Sequence, residues 1–254
     1  MRALYAFCFA PASLAVELSL ELGLDTCGWE DPVYISPTAG LKAILSSCPA
    51  ERFADNEAEQ RLGDLDWLLP RVEAHDRVIA RAMTATTVFP LPFGTLFSSA
   101  AALAMEAARR RHTLLDFFKR MAGREEWAVK ALLDRDRAIT ARQAELFPDS
   151  MAATSGGRGY LLAQRQKVQA ERALGPWLAA AVADLDTALR QHSEAVVTRS
   201  ARDPAVANRA CLVGPGGSQA LRAALTQIGA PLLAQGLELH CSGPWPLYSF
   251  CGTP

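Results

Sequence analysis

Apolar positions along this chain recur at every second residue in some stretches and at every third or fourth in others, and those changes of period mark out strands and helices. Residues 2–10, RALYAFCFA, alternate, with Leu4, Ala6 and Cys8 on one side and Ala3, Tyr5, Phe7 and Phe9 on the other. Both sides are apolar, so this strand is expected at the centre of a sheet. VYIS and LKAILSS, on either side of Pro37-Thr38-Ala39-Gly40, read as two strands joined by a turn. Across 56–83, Leu62, Leu65, Leu69, Val72, Ile79 and Met83 fall on one helical stripe that Pro70 interrupts. A proline inside a helix removes a backbone hydrogen bond at a cost of roughly 3 kcal/mol, so a kink or restart is expected there.

Residues 88–97, VFPLPFGTLF, break both periods. Two prolines rule out an ordinary central strand, Gly94 frees the backbone to turn, and Phe89, Leu91, Phe93 and Phe97 all require burial. The residue chemistry is that of a buried crossover leading into the next helix. That helix starts at Ser98 or Ser99, either of which can accept from its free amides. It carries the stripe Leu103, Ala107, Leu114, Phe117 and Met121, and it stops at Gly123.

Residues 124–134, REEWAVKALLD, show the clearest strand alternation of the chain, and 147–159 lose all period and read as a loop. A long helix to about residue 191 follows, with a break or kink at Gly175-Pro176. Then come strands at 195–200 and 207–213, the turn Gly214-Pro215-Gly216-Gly217, a helix at 218–228 and a strand at 237–241. From residue 124 onward the order is β-α-β-β-α-β, the split βαβ of ferredoxin-like domains, with both helices on one face of an antiparallel sheet. The expected fold class is therefore α+β in two domains. A mixed N-terminal domain covers 1–122, a ferredoxin-like domain 123–242, and an extended aromatic tail 243–254. Pro244 and Pro246 keep that tail extended around Trp245. Its aromatics, Trp245, Tyr248 and Phe250, favour burial, either back on the chain or against another protein.

Composition narrows the chemistry. Of 254 residues half are apolar and 21 % are charged, with a formal net charge of -1, so nothing steers the chain to nucleic acid or an anionic lipid membrane. The run Arg109-Arg110-Arg111-His112 reads as a solvated helix face. The apolar start ends at Pro11, far short of the ~20 residues a membrane-spanning helix needs, and it alternates unlike a secretory leader. A cytoplasmic protein is expected. Six cysteines without a C-x-x-C pair fit reduced thiols. The four histidines, His75, His112, His192 and His240, show no metal-binding spacing, so no metal and no cofactor are expected. The pairs Asp64 with Asp66 and Asp134 with Asp136 are solvated charge patterns on helices, and His75 reads as a packed helix histidine. The one enzyme-like feature is the Gly214–Ser218 turn, whose amides could meet an anion; Ser218 itself reads as a helix cap.

Several segments carry a resemblance. Leu91-Pro92-Phe93-Gly94-Thr95-Leu96-Phe97 ahead of a helix, Val72-Glu73-Ala74-His75-Asp76-Arg77-Val78 just upstream, the Gly-x-x-Glu-Trp-x-Val-Lys wording at 123–130, the segment from Gly159-Tyr160-Leu161-Leu162 to Arg165, and the ending Gly243-Pro244-Trp245-Pro246-Leu247-Tyr248-Ser249-Phe250 occur in that order. Together they resemble the gas vesicle protein F/L family. Pro92 stands where the family pattern carries a basic or polar residue. The resemblance implies a non-enzymatic accessory protein that binds the major hydrophobic shell protein, works among other accessory proteins, and assists assembly or remains as a minor vesicle component. The residues expected to touch a partner are Phe93, Gly94, Phe97, Trp245, Tyr248 and Phe250. The alternatives are a ligand-binding protein or enzyme using the Gly214–Ser218 turn, and an adaptor among accessory proteins with no shell contact.

Overall fold

The computed structural model describes residues 2–15, 29–53, 58–148 and 157–252. Residue 56, where the first helical pattern starts, and most of the expected 147–159 loop lie outside them. The chain forms two compact units, Met1–Arg124 with Trp245–Pro254, and Glu125–Pro244.

The sheet of the first unit is built on β1 (Arg2–Ala10), with β2 (Val33–Thr38), β3 (Leu41–Pro49), β4 (Phe89–Pro90) and β5 (Leu96–Phe97). The order β2-β3-β1-β4, with β5 also on β1, places the first strand centrally. Its simple alternation does not persist. The register against β3 shifts between Ala6 and Cys8, so Cys8 and Ala10 join Tyr5 and Phe7 in one buried cluster. A bulge adds a residue and reverses the phase of the pleat, which alternation alone cannot show. Ala39 and Gly40, with φ of 47° and 75°, make the tight β2–β3 turn.

The first helical pattern is two helices, α1 (Ala58–Gly63) and α2 (Leu65–Met83). The interruption is at Asp64 and not at Pro70. The Asp64 carboxylate accepts from the Asp66 amide at 3.0 Å and caps α2, while Pro70 sits inside it. The inward face is also not the leucine stripe. Ala74, His75, Val78, Ile79 and Ala82 are buried, whereas Leu62, Leu65 and Leu69 are 40, 63 and 53 % exposed. At ~100° per residue the helix is turned by roughly a quarter turn from the leucine-centred expectation.

The helix after the proline stretch is as the stripe predicts, with one break. α3 (Ala100–Arg109) is capped by Ser99 Oγ, which accepts from the Ala102 amide at 3.1 Å, and α4 (Arg111–Met121) follows after Arg110. Leu103, Ala107, Leu114, Phe117 and Met121 are all buried. Arg110 divides the basic run by stacking its guanidinium 4.7 Å from the Phe89 ring centre. Gly123 has φ 68°, the left-handed stop.

The second unit contains β6 (Glu125–Leu133), α5 (Arg135–Leu146), α6 (Gly157–Gln191), β7 (Ala195–Thr198), β8 (Ala205–Val213), α7 (Ser218–Ala234) and β9 (Leu237–Trp245). Its sheet order β7-β8-β6-β9 sets β8 between the first two strands, as a split βαβ requires. Trp127, Val129 and Ala131 of β6 pack with Cys211 and Val213 of β8, Leu185 and Leu189 of α6, and Leu221 and Leu225 of α7, so both long helices cover one face. The unit carries one helix more than expected: Asp134 caps α5 through the Arg137 amide at 3.0 Å, and Ala138 and Ile139 pack on Ala170 and Leu174 of α6. α6 is continuous through Pro176. β9 stays extended through Trp245, and the chain then closes a 3₁₀ turn at Tyr248–Phe250 within the first unit.

Candidate functional site

A buried hydrogen-bond network in the first unit joins segments far apart in the chain. Tyr5 comes from the central strand, His75 and Asp76 from α2, Leu91 and Gly94 from the proline stretch, and Tyr248 from the C-terminal turn. His75 is 1 % exposed. Its Nδ1 lies 2.9 Å from Tyr5 Oη, and its Nε2 lies 3.2 Å from the Leu91 carbonyl oxygen and 2.9 Å from Tyr248 Oη. The Gly94 amide donates to Tyr5 Oη at 3.1 Å, and Tyr248 Oη donates to Asp76 Oδ1 at 3.2 Å.

Donor and acceptor capacities assign the protons. A carbonyl oxygen only accepts, so Nε2 carries the hydrogen and Nδ1 offers a lone pair. Tyr5 must then donate to Nδ1, which leaves its oxygen free to accept from Gly94. Tyr248 shares the Nε2 hydrogen with Leu91 and passes its own to Asp76. Both imidazole nitrogens are committed, with no lone pair left for a metal or a substrate proton. The chemistry available here is the ordering of three chain segments around one ring.

Aromatic packing closes the site. The His75 ring stacks on Phe7 at 5.4 Å and meets the edges of Tyr5 and Phe93, each at 5.7 Å. Tyr5 also packs against Trp29 at 4.4 Å and Phe53 at 5.1 Å. The proline stretch hangs on the open edge of β1: Phe89 and Pro90 pair with Phe9 and Cys8, and Leu96 and Phe97 with Tyr5 and Leu4. Between these short strands Gly94, at φ 84°, turns the chain so that its amide meets Tyr5. Prolines fit an edge strand because one side of the ladder needs no donor.

Burial drives His75 down to a pKa of about 4, with the Leu91 carbonyl opposing in part. It is neutral near pH 7, whereas an unfolded histidine takes up its proton below about 6.5. Between those values the unfolded chain binds the extra proton, so stability falls as pH drops from about 6.5 to 4, by up to about 3 kcal/mol. Burial raises the Asp76 carboxyl, against the Tyr248 hydroxyl, and this acts in the opposite sense. The expected result is a urea midpoint lower at pH 5 than at pH 7, with most of that difference lost in His75→Gln. A midpoint that does not fall on acidification contradicts the assignment. Burial also pushes Tyr5 and Tyr248 up, which keeps both hydroxyls as donors.

Of the six residues singled out in the sequence, Phe93 and Tyr248 meet His75, and Gly94 meets its partner Tyr5. Phe250 is buried in the same unit at 3 % exposure, Phe97 is half-buried on β5, and Trp245 is 41 % exposed. Sequence reasoning missed Tyr5, Trp29, Phe53 and Asp76 as members of the cluster. The usable signal for Tyr5 was its polar tip in an otherwise apolar central strand.

The family model for Gas vesicle synthesis protein GvpL/GvpF matches residues 3–252. The chain belongs to the GvpL/GvpF family. It is 30 % identical over 233 residues to gas vesicle protein L of Streptomyces sp. (strain CB03234), covering 87 % of this chain and 84 % of that one. The fold is shared with the crystal structures of GvpF from Anabaena sp. PCC7120, at a TM-score of 0.69 and 16 % identity over 100 % of this chain and 98 % of that one, and from Microcystis aeruginosa, at 0.66 and 17 % over 99 % of each. As a family member the chain has a gas vesicle accessory role. The segments 72–78, 91–97 and 243–250 that resemble the family converge on the His75 network.

The Gly214–Ser218 turn is a strand-to-helix connection lining a cleft of about 470 Å³ with His192 and Glu194. Gly216 adopts φ 75°. Ser218 is not the cap: Gly217 occupies that position and no side chain caps the helix. A Cβ built on Gly214 would collide with Glu194 Oε1, so a carboxylate already stands against the turn and opposes an anion there. Among the described residues no group of three or more His, Cys, Asp or Glu is placed to hold a metal, and no helix is long and apolar enough to cross a membrane. Cys8, Cys48 and Cys211 are buried, and burial pushes Cys211 to about 11, leaving it an unreactive thiol near pH 7.

Proposed function

We propose that this GvpL/GvpF protein is a non-enzymatic, cytoplasmic assembly factor that binds the major gas vesicle shell protein, a small hydrophobic subunit, and delivers it together with other accessory proteins. The observation that carries the reading is the family match over residues 3–252. Exposed apolar side chains supply the means: Leu62, Leu65 and Leu69 on α1 and α2, and Trp245 at the end of β9. A subunit with a water-repelling face aggregates unless that face is covered, and exposed leucines and a tryptophan are the side chains that cover it. Phe93, Gly94, Tyr248 and Phe250 act in this reading by holding the tail turn, and Phe97 by completing the sheet edge.

The test is co-expression of the chain with the shell protein alone, followed by capture and comparison with an unrelated bait. Specific co-purification is expected. The double variant Leu65→Glu, Leu69→Glu should reduce capture by about tenfold or more, because each buried leucine contributes roughly 1.5 to 3 kcal/mol, with an unchanged thermal midpoint. Failure of the folded wild-type chain to capture shell protein, with capture of other accessory proteins instead, replaces this reading with that of an adaptor.

A further inference from the structure

A recess of about 190 Å³ in the first unit is lined by Trp29, Glu30, Arg52, Pro70 and Arg71. That is room for several water molecules or a small ion. Glu30 is 42 % exposed and bridges the two guanidinia, 3.0 Å from Arg52 Nη2 and hydrogen-bonded to Arg71 Nη2. Asp31 accepts from Arg52 Nη1 at 2.6 Å. Arg71 Nη1 donates to the Trp67 carbonyl at 2.7 Å, and its guanidinium lies 4.2 Å from the Trp67 ring centre.

With those groups committed, two buried donors of the lining have no partner among the described residues: the Trp29 indole N–H and the Arg71 Nε–H. Trp29 is 8 % exposed and held by Tyr5 at 4.4 Å and by stacking on Phe53 at 6.1 Å, so its N–H cannot turn to solvent without dismantling the aromatic cluster. A buried donor left unpaired is costly, and the ligand that relieves both must be an acceptor. Arg2, Arg52 and Arg71 together carry one charge more than their carboxylate partners Glu30 and Asp31, and that excess favours an anionic acceptor. Glu30 already shows a carboxylate seated across both arginines.

We propose that this recess is a binding site for a small oxyanion, a carboxylate or a phosphate group, received by the Trp29 indole N–H, the Arg71 Nε–H and the Arg52 guanidinium, with Glu30 as the resident competitor at its mouth. The site does not depend on shell-protein binding.

The test uses the full-length chain with 15N-labelled tryptophan, the Trp29 indole peak being assigned by its loss in Trp29→Phe. Inorganic phosphate and acetate are titrated separately, with chloride at matched ionic strength as control. A saturable shift of the Trp29 peak in phosphate or acetate and none in chloride is expected, and the tighter of the two identifies the headgroup. Glu30→Gln should bind about tenfold more tightly, because a repelling charge is gone, and Arg71→Lys about tenfold more weakly, because the Nε–H donor is lost. The other four tryptophan peaks report that each variant is folded, and Arg52→Lys replaces Arg71→Lys if that chain unfolds. A peak that stays still, one that moves equally in chloride, or a Glu30→Gln chain that binds more weakly overturns the proposal.

Discussion

His75→Ala is expected to lower the unfolding free energy by about 3 to 5 kcal/mol, one of the two largest effects of a single substitution proposed for this chain. Removal of the ring leaves the Tyr5 and Tyr248 hydroxyls and the Leu91 carbonyl without their shared partner in a buried setting. Tyr248 keeps Asp76 as acceptor, whereas the Tyr5 hydroxyl loses its acceptor and the Leu91 carbonyl its donor, at roughly 1 to 3 kcal/mol each. The ring contacts to Phe7, Tyr5 and Phe93 are lost as well, leaving a cavity among them. Tyr248→Phe, which deletes only the hydroxyl between His75 and Asp76, should cost about 1 to 2 kcal/mol. Guanidinium unfolding of the two variants at pH 7 makes the comparison. A loss below about 1 kcal/mol for His75→Ala, with unchanged denaturant slope, would show that the network is not what holds the tail turn in the first unit.

The second large effect is expected at Gly236, in the turn between α7 and β9. Its φ is 86°, and a Cβ there would lie 2.6 Å from the Ala138 amide nitrogen and 2.9 Å from the Asp134 carbonyl oxygen. Both obstacles are backbone at the first turn of α5, and the same Gly236 offers its own carbonyl to the Asp134 amide at 2.9 Å. Alanine must therefore bear left-handed strain of about 1 kcal/mol and displace a helix start, which adds roughly 1 to 3 kcal/mol. Gly236→Ala is expected to lose about 3 kcal/mol in total. Gly175, inside α6, has nothing within 4 Å of a built Cβ, so Gly175→Ala should gain up to about 1 kcal/mol by helix propensity. Thermal unfolding of the pair separates the cases, and equal midpoints would refute the steric argument.

Much of the architecture was legible because local periodicity records which side of an element is apolar. The α3–α4 stripe came through residue for residue, with the Gly123 stop and, of the two serines offered as cap, Ser99. The split βαβ order followed from turn residues and alternation alone. Where reading failed, a local signal was outweighed. Pro70 is a strong helix breaker, yet α2 runs through it, because Asp64 supplies a better boundary nearly two turns earlier and the forgone bond lies near the exposed helix start. Leu62, Leu65 and Leu69 dominate the apolar pattern, yet α2 turns its smaller residues and His75 to the sheet. A row of leucines states that one side is apolar; it does not state which side finds a partner.

The candidate site was legible in its parts and not in its assembly. The proline stretch, the His75 segment and the aromatic tail stood out as unusual, but Tyr5 and Tyr248 lie 70 and 173 positions from His75, and no periodicity spans such distances. The sequence by itself determined the α+β class, the β-α-β-β-α-β order of the second unit apart from α5, and the family, since those rest on short-range spacing and on motif wording. Only the tertiary structure decided that the tail turn seals the first unit's core around a neutral histidine, that a leucine row faces outward, and that the Trp29 indole N–H and the Arg71 Nε–H find no partner among the described residues. Those outcomes depend on which buried polar groups can satisfy one another once the chain has closed, and that is a property of the closed chain.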